Sequence, residues 1–270
     1  SSFYLAGRMI FGVLAGTATV YLLYRFGHQF FSRRHGLFSA FFLAVCFLHV
    51  RDSHYIYADI PLLFLAVLSF FHVLRIWDHG DKKDYLFFGA LFGTAVATKY
   101  NGVFLIVPFL VAHLKRQGPL RLALASLLTS TVVFFLLNPF GLIDGRFFMK
   151  ELLVQGRAEG FLGFFHHFRY SLSGGMGLPL FYLSLAGILL RLFSGDVKEW
   201  ILLSFILVYF AVLSVFSQPY DRYALPLIPF LCLFAADALL RIAEIRSLQK
   251  WTVVFAAAFA DRVHPHNMGR

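Results

Sequence analysis

The stretch that decides the reading of this chain is Arg51-Asp52-Ser53-His54-Tyr55-Ile56-Tyr57-Ala58-Asp59-Ile60-Pro61. Apolar runs flank it, 36–50 before and 60–77 after, and each is long enough to enter a bilayer. An ionisable side chain at the centre of a membrane helix costs about 2.5–3.5 kcal/mol. Arg51, Asp52, His54 and Asp59 therefore mark a polar site or a water-filled cavity at the boundary between two spans.

The composition outside this stretch agrees. Of 270 residues, 59% are hydrophobic and 14% charged, with a mean hydropathy of +0.73. A soluble domain carries about 25% charged residues, so the chain reads as an all-α polytopic membrane protein, a transmembrane helical bundle. Its 35 phenylalanines and 12 tyrosines suit lipid-facing and interfacial positions. The net charge of +10 is spread over short loops and forms no stripe, which argues against a nucleic-acid partner. Cys46 and Cys232 both fall in apolar runs, where a thiol is a small buried hydrophobe, so no disulfide framework is expected.

Nine candidate spans follow from the apolar windows: 9–26, 36–50, 60–77, 85–98, 102–114, 120–142, 178–193, 200–216 and 223–240. Those at 36, 85 and 102 are short, and one pair could form a broken or re-entrant element. The chain opens at Ser1 without a methionine or a cleavage pattern, and the apolar run 251–260 is too short to span, so it reads as a fragment forming a single domain over 1–270.

If the spans alternate, one side collects Arg25, Arg33, Arg34, Arg75, Lys82, Lys83, Lys115, Arg116, Arg121, Arg191, Lys198, Arg241, Arg246 and Lys250. Outside the long connection 143–177, the other side has only Arg8, Arg51, Lys99 and Arg222, and the positive-inside rule makes it the non-cytoplasmic one. An integral, multi-pass protein of a bacterial or archaeal inner (plasma) membrane is expected, with its polar site facing outside the cytoplasm. On that face, 143–177 mixes phenylalanines with Arg146, Lys150, Arg157, His166, His167 and Arg169 and reads as an amphipathic segment lying in the interface.

Three motifs share that face: 51–61, Thr98-Lys99-Tyr100-Asn101-Gly102 and Gln218-Pro219-Tyr220-Asp221-Arg222-Tyr223. Each has an ordinary reading beside the functional one. Asp59 before Ile60-Pro61 suits a helix start, where a carboxylate meets free amides and Pro is tolerated; it equally suits a rigidly held catalytic carboxylate. Lys99 could snorkel to the headgroups, or place a point charge on a phosphate oxygen. Arg222 could pair with Asp221, or fork onto a phosphate with Tyr223 adding a hydroxyl. Adjacent His166 and His167 point apart on a helix and lack a further ligand at metal spacing. Nucleotide loops and hydrolase elbows have no counterpart in the sequence.

In their order and sidedness these motifs resemble the polytopic glycosyltransferases of the GT-C class, within it the protein-mannosyltransferase-like and aminoarabinose-transferase-like family. The carriers are 51–61, Ala97-Thr98-Lys99-Tyr100-Asn101-Gly102 and Asp221-Arg222-Tyr223-Ala224-Leu225-Pro226-Leu227-Ile228-Pro229. The resemblance implies a hexosyl- or pentosyltransferase that moves sugar from a polyprenyl-phosphate (dolichyl- or undecaprenyl-phosphate) donor to a glycan, lipid or protein acceptor. It implies Asp59 as the acidic residue of the second outer loop, Lys99 as the lysine contacting the lipid-linked phosphate, and Arg222 with Tyr223 as late-chain contacts to that phosphate; the polar motifs themselves add Asp52 as a second candidate catalytic carboxylate and Tyr100, Arg51 and His54 as candidate substrate-binding residues. It also implies inverting transfer, in which a carboxylate orients or deprotonates the acceptor hydroxyl while Lys99 and Arg222 meet the charge on the departing phosphate. The family's first outer loop, with its acidic residue, has no counterpart here, since the chain begins at what resembles the second span. No cofactor is read from these residues, and a divalent metal stays open. The competing class is a secondary transporter with Asp59 as coupling site, which calls for ionisable groups near the membrane midplane.

Overall fold

The computed structural model describes residues 2–146, 150, 162–193, 195–215 and 220–244. In chain order the helices are α1 (Ser2–Phe30), α2 (Arg33–Val45), α3 (Phe47–Asp52), α4 (Asp59–Asp78), α5 (Lys82–Thr98), α6 (Ile106–Arg116), α7 (Leu120–Leu137), α8 (Phe140–Ile143), α9 (Gly163–Met176), α10 (Leu178–Leu192), α11 (Val197–Leu213) and α12 (Asp221–Glu244). A 3₁₀ turn, Tyr100–Leu105, leads into α6, and α12 opens with another over Asp221–Leu227. No strand occurs among the described residues.

Over their described residues the nine apolar runs fall on largely helical structure, with breaks at Cys46 and Asn138. Among the described residues, α1, α4, α7 and α12 are each long and apolar enough to cross a membrane. The pair α9 and α10 passes that test together, bent by 113° at Gly177 as a broken span or re-entrant element. The expected interfacial stretch is described at 143–146, 150 and 162–177, and its last part forms α9, with His167, Ser171 and Leu172 buried against protein. The remainder of that stretch and the apolar run 251–260 lie outside the described residues.

Local signals set the ends. Ser32 caps α2 by accepting from the His35 amide at 3.3 Å, and Asp196 caps α11 by accepting from the Lys198 amide at 2.8 Å. Gln117 adopts φ 58° just past α6, and Gly118-Pro119 ends the helix. The guanidinium of Arg116 donates to the carbonyls of Trp77 at 2.6 Å, Asp78 at 3.1 Å and His79 at 2.5 Å, answering the free acceptors at the end of α4.

Helix α4 is the axis of the bundle and packs on α1, α5, α6 and the start of α12. Its Phe70 ring meets Phe205 of α11 at 5.4 Å and Phe230 of α12 at 4.3 Å, and the latter two meet at 5.4 Å. Burying three rings at one point joins these helices through the bundle centre. The peripheral pair α5 and α7 is held differently. A side chain at Gly89 or Gly93 would collide with the backbone carbonyl of Ser126 or Ser130, so a small-residue stripe on each helix lets the backbones touch.

We predict that Gly89→Val forces α5 from α7 and destabilises the fold by about 1–3 kcal/mol, the usual range for overpacking. Gly174→Ala, where nothing lies within 4 Å of the added carbon, leaves stability unchanged. Thermal unfolding of the two purified variants in detergent checks the contrast.

Candidate active site

Asp59 opens α4, and its chain-distant partners come from the ends of two other helices. Helix α5 stops at Thr98, and Lys99 takes an extended conformation, φ −160° and ψ 133°, before the 3₁₀ turn folds back. That fold-back needs Gly102, because a Cβ there would lie 2.6 Å from the Ala95 carbonyl carbon. The turn sends the Lys99 ammonium across to Asp59, with Nζ 2.5 Å from Oδ1. From the opening turn of α12, Arg222 brings Nε to 3.8 Å from the other oxygen, Oδ2. Two cations thus share one carboxylate.

Aromatic rings enclose the pair. Lys99 Nζ stands 4.3 Å from the Tyr223 ring centre, and the Arg222 guanidinium lies 4.8 Å from both Tyr57 and Tyr220. Such faces attract a cation, and they also fix the direction in which a long basic side chain points. Burial pushes the pKa of the Lys99 ammonium down from its ordinary value, and the Asp59 carboxylate opposes that shift. A buried tyrosine on α11 ties the two turns together: Asn101 Nδ2 donates to the Tyr209 hydroxyl at 3.3 Å, and that hydroxyl donates to the Tyr223 carbonyl at 3.0 Å.

A second polar centre adjoins the first. Arg51 grips Asp52 with Nε to Oδ1 at 2.8 Å and Nη2 to Oδ2 at 3.3 Å, and its Nη1 reaches Asp221 Oδ2 at 3.6 Å. Asp221 Oδ1 also accepts from His166 Nε2 at 3.0 Å and from the Ser171 hydroxyl at 3.1 Å. Behind Ser171, the ring of His167 donates through Nδ1 to its hydroxyl at 2.9 Å. Helix α9 is thereby bound to the opening of α12.

The structure thus brings Asp59, Lys99, Arg222 and Tyr223 together, and sets Asp52 and Arg51 beside them as a closed pair. Tyr100 follows Lys99 in the turn and is half-buried. His54 is turned away, its Nδ1 donating to the Val50 carbonyl at 2.7 Å while its own carbonyl accepts from Arg8 at 2.8 Å. One plain reading is corrected: Arg222 faces Asp59 and not its neighbour Asp221. Asp59 does stand in the first turn of α4, while the cap position is Ala58, which makes no side-chain bond. Sequence reasoning missed Tyr209, Tyr57 and the role of Asp221. The Asp-Arg-Tyr triplet was the available signal for Asp221, but Tyr209 sits in an apolar run that gives no hint of its partner. Among the described residues no three histidine, cysteine or acidic side chains gather as a metal-ligand set.

The solved structure of ArnT from Cupriavidus metallidurans in the apo state superposes with a TM-score of 0.70 at 19% identity, covering 94% of this chain and 48% of that one. ArnT from the same organism bound to undecaprenyl phosphate gives 0.70 at 18% identity, with 94% and 49% covered. The likeness is one of fold, and the chain spans about half the length of these structures. No curated protein matches it. Residues 4–143, more than half of the chain and inclusive of Asp59 and Lys99, match the family described as dolichyl-phosphate-mannose-protein mannosyltransferase. With that match and its long apolar helices, this integral membrane protein belongs to the dolichyl-phosphate-mannose-protein mannosyltransferase family.

Proposed function

We infer that the chain carries the phosphate-binding half of an enzyme that transfers a sugar from a polyprenyl-phosphate donor to an acceptor hydroxyl outside the cytoplasm. One observation carries this reading: Lys99 and Arg222, from connections more than a hundred residues apart, converge on Asp59 at one end of the bundle. Two fixed cations at a helix-end site suit an anionic headgroup whose lipid tail stays among the helices. The ArnT structure bound to undecaprenyl phosphate supports the same donor class here.

In this reading Lys99 and Arg222 hold the phosphate and stabilise the charge it gains as the anomeric C–O bond breaks. Asp59, beside them, orients the acceptor hydroxyl or takes its proton, while Asp52 keeps Arg51 in place. The new bond forms from the acceptor oxygen to the anomeric carbon with inversion. A glycan, lipid or protein hydroxyl serves as acceptor in this reading, and the sparse positive charge of this face supports a non-cytoplasmic side, that of a bacterial or archaeal inner membrane. Transport would require the coupling carboxylate in mid-span. Asp59 is instead the first residue of its helix, which favours transfer.

Lys99→Gln and Arg222→Gln in the full-length protein are each expected to slow transfer by roughly 10²-fold, the scale for losing one preorganised donor to developing negative charge. Both also raise the donor concentration needed for half-maximal rate. Steady-state assays with varied lipid-linked donor check this, and unchanged donor dependence in both variants returns these side chains to headgroup contacts.

The two carboxylates separate by a matched pair. Asp59→Asn lowers turnover more than Asp52→Asn, because Asp52 already has both oxygens on Arg51. Turnover is compared at equal expression, with thermal unfolding alongside. Normal turnover in Asp59→Asn with loss in Asp52→Asn reverses the assignment.

A further inference from the structure

The charges at the Asp59 site do not balance. Two cations face one carboxylate within ion-pair distance, a local formal charge of plus one, while the adjoining Arg51, Asp52 and Asp221 carry a net charge of minus one. Asp59 is also the deeper group, with its side chain 4% exposed against 19% for Lys99 and 32% for Arg222. A ligand therefore meets the cations first, with the carboxylate behind them.

That arithmetic bears on the two lipids the site would handle, and so the inference rests on the polyprenyl-phosphate reading. The donor is a phosphodiester with one negative charge. When the bond between its anomeric carbon and phosphate oxygen breaks, the electron pair stays on that oxygen, the acceptor oxygen bonds to carbon, and the acceptor's proton passes to water, directly or through Asp59, so that Asp59 is ionised when product leaves. The lipid left behind is a phosphate monoester, whose second pKa is about 6, so it is largely dianionic at neutral pH. The reaction adds a negative charge to the group that Lys99 and Arg222 hold. Two uncompensated cations would hold product far more strongly than substrate.

We propose that Asp59 is the charge-discriminating residue of this site, lowering the potential at the phosphate so that the monoester product is released. The ligand's electrostatic energy scales with its charge, so deleting the Asp59 charge acts about twice as strongly on a dianion as on a monoanion, in the logarithm of affinity. A residue that merely held Lys99 in place would show the opposite sign, since its loss would weaken both ligands. Asn retains an oxygen that accepts from Lys99, and Ser keeps a short polar side chain in the first turn, so both remove charge while preserving local structure.

The test measures binding of undecaprenyl phosphate and of its unreactive methyl phosphodiester to the full-length protein at about pH 8, where the monoester is dianionic. Wild type is compared with Asp59→Asn, Asp59→Ser, Asp59→Glu and Lys99→Gln. The charge-free variants are expected to bind the monoester at least about tenfold more tightly than wild type and the diester by about the square root of that factor. Asp59→Glu stays near wild type, and Lys99→Gln weakens both ligands. If Lys99→Gln weakens both but neither charge-free variant tightens the monoester, charge discrimination is overturned and the phosphate site stands. If wild-type binding is absent or indifferent to Lys99→Gln, the phosphate reading fails and takes this inference with it.

Discussion

The contact between Lys99 and Asp59 joins the end of α5 to the start of α4, and the arrangement of the site depends on it. Desolvating either charge alone would cost several kcal/mol, and the two together are tolerable only with close geometry and further partners. Those partners are present: Arg222 for the second oxygen of Asp59, and the Tyr223 ring for the ammonium. Because each comes from the opening of α12, the ion pair also fixes where that helix enters the bundle. The three rings of Phe70, Phe205 and Phe230 then set the same helices against each other in the interior. Polar geometry at the end and apolar packing at the centre specify one arrangement.

At the opposite end of the bundle charge joins helices to one another. There Asp237 of α12 accepts from Arg191 Nε at 2.7 Å, Arg241 Nε at 3.0 Å and His35 Nε2 at 3.2 Å, and Arg191 also pairs with Glu199. Lys198 meets Asp78 at 3.0 Å, tying α11 to the end of α4. Asp237 and Glu199 are enclosed, and the network serves as a fastening between α2, α10, α11 and α12. Arg191 reaches two carboxylates, whereas Lys99 and Arg222 share the single carboxylate of Asp59. The two ends differ in how many acceptors their cations reach.

Much of this was legible in the sequence because membrane boundaries punctuate it. Ionisable residues are expensive within spans, so the runs between Arg51 and Asp59, at Lys99 and at Arg222 stand out, and a count of alternating spans places them on one face. Which helix packs on which was not legible. A helix apolar all round gives no direction, and α12, largely buried, reads much like α7, whose surface is mostly open. For the same reason Tyr209 was invisible: one hydroxyl in an apolar run says nothing of its partner until Asn101 and the Tyr223 carbonyl are brought to it. His54 misled in the opposite way, since a histidine in a polar cluster invites a ligand role while the helix end offers its ring a nearer carbonyl.

The competition for Asp221 explains why Arg222 is available at all. Adjacent in sequence, an aspartate and an arginine on an opening turn can neutralise each other, and that reading of the triplet was reasonable. Here Asp221 is drawn off by three donors, His166 and Ser171 on α9 and Arg51 on α3. Hydrogen bonds to an ionised acceptor are the stronger kind, and two of them with the Arg51 ion pair at 3.6 Å engage the carboxylate without its neighbour. Arg222 is left to turn over Tyr57 and Tyr220 toward Asp59. The bent element α9, remote from Lys99 in sequence, thereby sets the electrostatics of the site by engaging the carboxylate that would otherwise pair with one of its two cations.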